Sequence, residues 1–274
     1  MKRKTAILLV VPILLVFVGL ALLVAPRVSN QVGIQIAHST IEDFKSLKSE
    51  ATADEVTDEM PSEENTTNQN SQKNSSFVSH IDDETELTEE YNGQTVKPNF
   101  TRLYMDSVIY NEALKQHQAE LLINEQAYQK PSLNLSSYGI ENNVYGYVSA
   151  PSIGLELPIY LGGNDDNMAL GAAHMTYTSL PIGGESTNCV LSGHSGYIGR
   201  IFFDHLPNLN IGDEIVVENY WNTLTYKVVQ KQINKSYESA ACFISDGKDL
   251  LTLITCISDG HGGFDRFYVI AERS

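Results

Sequence analysis

TLITCISDGHGGFDRFYVIAER, residues 252 to 273, decides how this chain is built. Its TLIT portion, with Leu251 just before it, is apolar enough for a central strand covered on both faces. RFYVIAER reads as a second strand, rich in aromatic and β-branched residues. Between them, SDGHGG is a cluster of turn-forming residues, so the two runs predict a long antiparallel hairpin. Cys256 then stands at the exit of one strand and Arg266 at the entry of the next, across a loop of about nine residues.

Working upstream, short runs rich in Val, Ile, Leu and Tyr recur as far back as Tyr145: YGYVSAP, LELPIYLG, NCVLSGH, EIVVENY and LTYKVVQKQI. Turn clusters such as GGND, IGDE, NYWN and SDGKD separate them. Leu224, Tyr226 and Val228 alternate with polar neighbours, as one buried strand face requires. Many short strands without a long helical stretch predict an all-β fold over residues 144–274, a sandwich or a closed barrel. One short helix is expected over RIFFDHL, Arg200 to Leu206. Ahead of the strands, residues 99–143 predict a helical extension. Leu103, Val108, Leu114, Leu121 and Leu122 there recur at helical spacing, and Pro131 helps to close the unit.

The N-terminus reads differently. Residues 1–5 hold Lys2, Arg3 and Lys4, and twenty residues without a charge follow, Ala6 to Ala25. A bilayer core about 30 Å thick needs roughly 20 apolar residues in helix, so residues 6–26 predict a transmembrane anchor. The cations on its N-terminal side predict a cytoplasmic N-terminus and an extracellular remainder. Residues 27–98 are expected to form an acidic extracellular linker. Within it, residues 42–90 carry fifteen Asp or Glu against three Lys, so most of the net charge of −16 sits there and the strand-rich part is near neutral. The stretch from 49 to 90 is too poor in aliphatic residues to offset its own ordering entropy. No basic patch interleaved with aromatics is present, which argues against nucleic acid. No ordered spacing of ligands suggests a metal or other cofactor.

The reactive candidates are few. Of the three cysteines, Cys189 and Cys242 lie in small apolar runs where a thiol is usually a buried hydrophobe. Their pairing in a disulfide is not constrained by the spacing. Cys256 alone marks a strand-to-loop junction, where a rigid scaffold presents catalytic groups. A thiol nucleophile needs a partner that favours thiolate and donors for the oxyanion. Of the seven histidines, His194 ends the run CVLSGH in a position like that of Cys256, and His174 sits in GAAHMTYTSLP; both stay open as the partner. Arginine is scarce after residue 145, with only Arg200, Arg266 and Arg273, and Arg266 is the one placed beside the cysteine.

TLITC followed by an Arg-led last strand, with Gly193-His194 about sixty residues upstream, resembles the sortase family. LPIYLGG, GAAHMTYTSLPIGGESTNCVLSGHSG, LNIGDEIVV and LTYKV resemble successive sortase segments in order. APRVSN, YNEAL and AYQKPSLNLSSYGI are similar to the N-terminal extension of class C, pilin-polymerising sortases. The resemblance implies a closed β-barrel of about eight strands preceded by a helical, lid-like extension and a membrane helix. It implies a cysteine transpeptidase that cuts an LPxTG-like sorting signal between Thr and Gly through a thioacyl intermediate. The acceptor amine would be a pilin lysine or, as the alternative, a peptidoglycan cross-bridge. By the same resemblance Cys256 is the nucleophile, His194 the general acid and base, Arg266 the oxyanion and carbonyl donor, and Thr255 a substrate-binding residue. A non-catalytic display protein is the remaining reading from another class.

Overall fold

The computed structural model describes residues 2–54, 97–121, 127–235 and 238–274. Eight strands form one closed barrel: β1 (Val144–Ala150), β2 (Leu155–Leu161), β3 (Ala172–His174), β4 (Thr187–Ser192), β5 (Glu214–Asn219), β6 (Thr223–Asn234), β7 (Asp249–Ser258) and β8 (Phe264–Arg273). Around the barrel the order is β1-β2-β3-β4-β7-β8-β6-β5, closing through the antiparallel β1–β5 pair. Only the β2–β3 and β4–β7 pairs are parallel. Closure leaves no free sheet edge, which removes the usual site of edge-to-edge association. Seven of the strands match the apolar runs of the sequence. β3 lies inside GAAHMTYTSLP and is not among those runs, because three residues, AAH, are too few to show a period.

Alternate residues of the strands point inward and form the barrel core, including Val148, Leu157, Ile159, Leu191, Val217, Tyr226, Leu253 and Val269. β7 is covered on both faces. Leu251 and Leu253 join the interior, whereas Ile254 packs outside with Val190, Tyr268 and Cys242. Cys189 faces the interior and Cys242 the outer cluster, so the sheet stands between them and both thiols are free. The helix expected over residues 200–206 is absent. Asp204 captures the backbone there, its carboxylate accepting from Gly196 N (2.8 Å) and Phe202 N (2.9 Å), and only a 3-10 turn, Leu206–Asn208, follows.

Two helices build a second core on the barrel flank. α1 (Lys2–Asp54) runs unbroken from the apolar N-terminal segment, so the expected linker from residue 27 is helix as far as Asp54. The reason is a stripe at intervals of three and four residues. Ser29 donates to the Gly199 carbonyl (3.1 Å), Ala37, Ile41 and Phe44 are buried, and Lys48 pairs with Glu218 (2.9 Å). Burying side chains such as Ile41 and Phe44 stabilises by about 1.5–3 kcal/mol each, which holds α1 against the barrel. The rest of the expected acidic tether, residues 55–96, lies outside the described residues.

α2 (Phe100–Leu121) supplies Leu103, Tyr110 and Leu114 to the same cluster, against Tyr145 and Leu180. Its buried polar residues are partnered: Ser107 with Tyr145 Oη (2.7 Å), Tyr110 Oη with Tyr177 N (2.7 Å), and Asn111 with Leu180 N (2.7 Å). Helix α2 is thus part of the packed structure. After it, Lys130-Pro131-Ser132 is fastened to the barrel, with Thr176 Oγ1 donating to the Lys130 carbonyl. A third helix of one turn, α3 (Asp165–Met168), follows β2.

Candidate active site

The antiparallel register of β7 and β8 makes Cys256 and Arg266 direct cross-strand partners. Alternation along β7 turns Cys256 to the same outer face as Ile254. Arg266 Nη1 donates to Cys256 Sγ, and both side chains are half-buried. A guanidinium against the sulfur has further N–H donors left for a carbonyl oxygen.

The parallel register of β4 and β7 pairs Ser192 with Ile254. Two residues further on, the same register sets His194 level with Cys256 on the other side of β7. Gly193 N donates to the Ile254 carbonyl (3.1 Å), and Thr255 Oγ1 donates to the Gly193 carbonyl (2.8 Å), so the two strand ends are tied just before these residues. Glycine is required before the histidine because a Cβ there would stand 2.7 Å from the Phe203 ring. The His194 ring is half-buried and stacks on Tyr197 (centroids 5.0 Å apart, 22° between planes), with Phe202 at 6.4 Å. Cys256 and Arg266 therefore pair across β7 and β8, and His194 stands two residues past the end of β4 at the same end of the barrel.

Thr255, expected at the substrate, is elsewhere. It is 2% exposed and faces away from Cys256, since neighbouring strand residues point to opposite faces. Its hydroxyl fastens the turn that carries His194, a positioning contact.

The alternative residues are withdrawn from solvent. His174 is fully buried. Its Nε2 donates to the carbonyls of Ser179 (3.0 Å) and Thr178 (3.2 Å), and Nδ1 accepts from Ser132 Oγ (3.1 Å). Burial pulls its pKa down to about 4. Burial raises the Cys189 thiol well above its ordinary value and pushes Cys242 up to about 12. Among the other described histidines, His38, His117, His205 and His261 are exposed.

Residues that the sequence did not single out order the outer face of the strands that lead to the site. Asn188 Nδ2 holds the carbonyls of Ala241 (2.9 Å) and Phe243 (3.0 Å), and Thr252 Oγ1 donates to Asn188 Oδ1 (2.9 Å). From α2, Gln118 Oε1 accepts from Ile244 N (2.7 Å). This clamp seats segment 240–244 over the outer face of β4 and β7, where Cys242 packs with Val190 and Ile254. The only sequence signal was a polar side chain inside each apolar run. Tyr197, three residues after His194, was visible but had no stated role.

The sortase domain pattern matches residues 148–274. The solved structure of sortase C-1 from Actinomyces oris is 30% identical, with a TM-score of 0.54, over 64% of this chain and 99% of that one. The chain belongs to the sortase family. Sortase C of Clostridium perfringens, solved with the C-terminal cell wall sorting motif, resembles this sortase over 73% of its length and 96% of the other chain (29% identical, TM-score 0.53). A curated relative, sortase A of Bacillus anthracis, is 28% identical over 147 residues, 53% of this sortase and 67% of that protein. The family consists of transpeptidases, and the solved structural neighbours of this sortase are of class C.

Proposed function

We propose that this sortase cuts an LPxTG-like sorting signal between Thr and Gly and transfers the acyl group to an amine, a pilin lysine. The observation that carries the reading is the cross-strand pair of Cys256 on β7 and Arg266 on β8, with His194 two residues past the end of the neighbouring strand β4. The Cys256 thiolate adds to the Thr carbonyl carbon, forming a C–S bond and moving the carbonyl π pair onto oxygen. Arg266 donates to that oxyanion. Collapse breaks the Thr–Gly C–N bond, and His194, as imidazolium, protonates the leaving glycine amine. The acceptor amine then adds to the thioacyl carbon, neutral His194 takes its proton, and the thiolate departs. One proton is given and one recovered, so the enzyme returns to its starting state.

The structural neighbours of class C support the pilin lysine as acceptor, and the C. perfringens structure solved with a sorting motif supports that type of donor. One helix among the described residues is long and apolar enough to cross a membrane. In this reading α1 anchors the enzyme with its N-terminus inside and the barrel outside. Replacing the nucleophile tests the chemistry. Cys256→Ala should retain the thermal unfolding profile and lose cleavage of a fluorogenic LPxTG peptide, whereas parental turnover by the variant would end the proposal. In the same assay a lysine-bearing pilin peptide should be the preferred acceptor. Preference for an oligoglycine amine would reassign the enzyme to anchoring proteins on the cell wall.

A further inference from the structure

The loop that follows His194 carries side chains that the chemistry above does not use. Ile198 is 95% exposed, and Tyr197 and Ile201 are also exposed. A single exposed apolar side chain is ordinary, but a contiguous set marks an interaction surface. Here the set is contiguous. Ser29 of α1 donates to the Gly199 carbonyl, and Gly199 has φ +84° and no room for a Cβ, which would meet Ser29 Oγ. Gly33 packs against Arg200, and Arg200 Nη1 donates to the Ala169 carbonyl (2.6 Å) beside exposed Leu170. On α1, exposed Val28 and Val32 flank Ser29 and Gly33. The Asp204 carboxylate is turned back into the loop, gripping Gly196 N and Phe202 N.

The height of this patch is set by the helix. The charge-free run ends at Ala25, and Ser29 is four residues further on, about 6 Å along an α-helix. The polar layer of a bilayer is roughly 5–8 Å thick on each side of the hydrocarbon. Exposed Arg27 stands within that interval, suited to lipid phosphate. We propose that the apolar loop 197–201, fastened to α1 at Ser29, inserts into the outer surface of the membrane that α1 crosses, so that the arm carrying His194 rests on the bilayer. The occupant is the lipid interface itself, and the inference rests on the reading of α1 as a membrane anchor.

Trp221, the chain's single tryptophan, is an internal reference. It contacts Tyr220, which packs on Phe44 of α1, fifteen residues and about 22 Å of helix beyond Ser29. The full chain and its Ile198→Trp variant would be reconstituted in phosphatidylcholine vesicles brominated near the acyl carbonyls. The expected result is co-flotation of both proteins, an unquenched parent, and a blue-shifted, quenched added emission in the variant. Co-flotation with no quenching of the added tryptophan overturns loop insertion and leaves the anchor standing. Equal quenching of Trp221 also overturns it, since the barrel would then lie flat on the lipid. Failure of both proteins to float overturns the anchor reading and this inference with it.

Discussion

His174 Nε2 faces two carbonyls and Nδ1 faces a hydroxyl, so the ring is held neutral where no water reaches it. Its pKa in the folded chain is about 4, against 6.5 for a free histidine. As pH falls, the unfolded chain takes up the proton first. The contribution to stability is therefore complete above about pH 6.5 and is lost on descending to about pH 4, amounting to about 3 kcal/mol. The test is the difference in denaturant midpoint between parent and His174→Gln across that window: the parent should lose more stability on acidification than the variant. Parallel pH profiles would mean that His174 does not titrate as its burial requires. Sequence left His174 and His194 as alternatives because His194 ends an apolar run at a polar turn and His174 sits in a loop with polar partners of its own. Only the packed structure separates a ring closed in by Ser132, Thr178 and Ser179 from one that stacks, half-exposed, on Tyr197.

At the scale of elements, α1 is the departure from expectation with the clearest cause. Residues 27–54 read as the start of a linker because they run without a break into the acidic, aliphatic-poor stretch that follows them. Their stripe of Ser29, Gly33, Ala37, Ile41, Phe44 and Lys48 uses small and polar residues for half its contacts, so its apolar content is low although its spacing is regular. Phe44 is the anchor, fully buried with its ring 4.6 Å from Tyr220 and 5.9 Å from Tyr147. Phe44→Ala should cost about 3–5 kcal/mol, read as a lowered midpoint of thermal unfolding of the full chain in detergent. A change below about 1 kcal/mol, the range of an ordinary surface substitution, would show that the helix does not dock on the barrel. The β7–β8 hairpin was legible by contrast, because two strongly apolar runs flank one turn cluster and their register brings Cys256 opposite Arg266.

For the whole molecule, α2 decides whether the region ahead of the barrel is a cover or a component. Leu103, Tyr110 and Leu114 share one core with Tyr145, Leu180 and Phe44. Deleting residues 100–121 should therefore abolish cooperative unfolding of the chain. A cooperatively folding variant with faster peptide hydrolysis would instead make α2 a removable lid. The sequence by itself determined the strand-rich domain, the hairpin, the apolar N-terminal segment and the candidates Cys256, His194 and Arg266, because local periodicity and turn chemistry are written in consecutive residues. Tertiary structure alone decided that β4 runs parallel to β7, so that His194 meets the level of Cys256 from 62 positions away. It also decided that Thr255 faces inward and that α1 and α2 close a second core. Each of these depends on which distant surfaces exclude water from one another, and no stretch of adjacent residues records that.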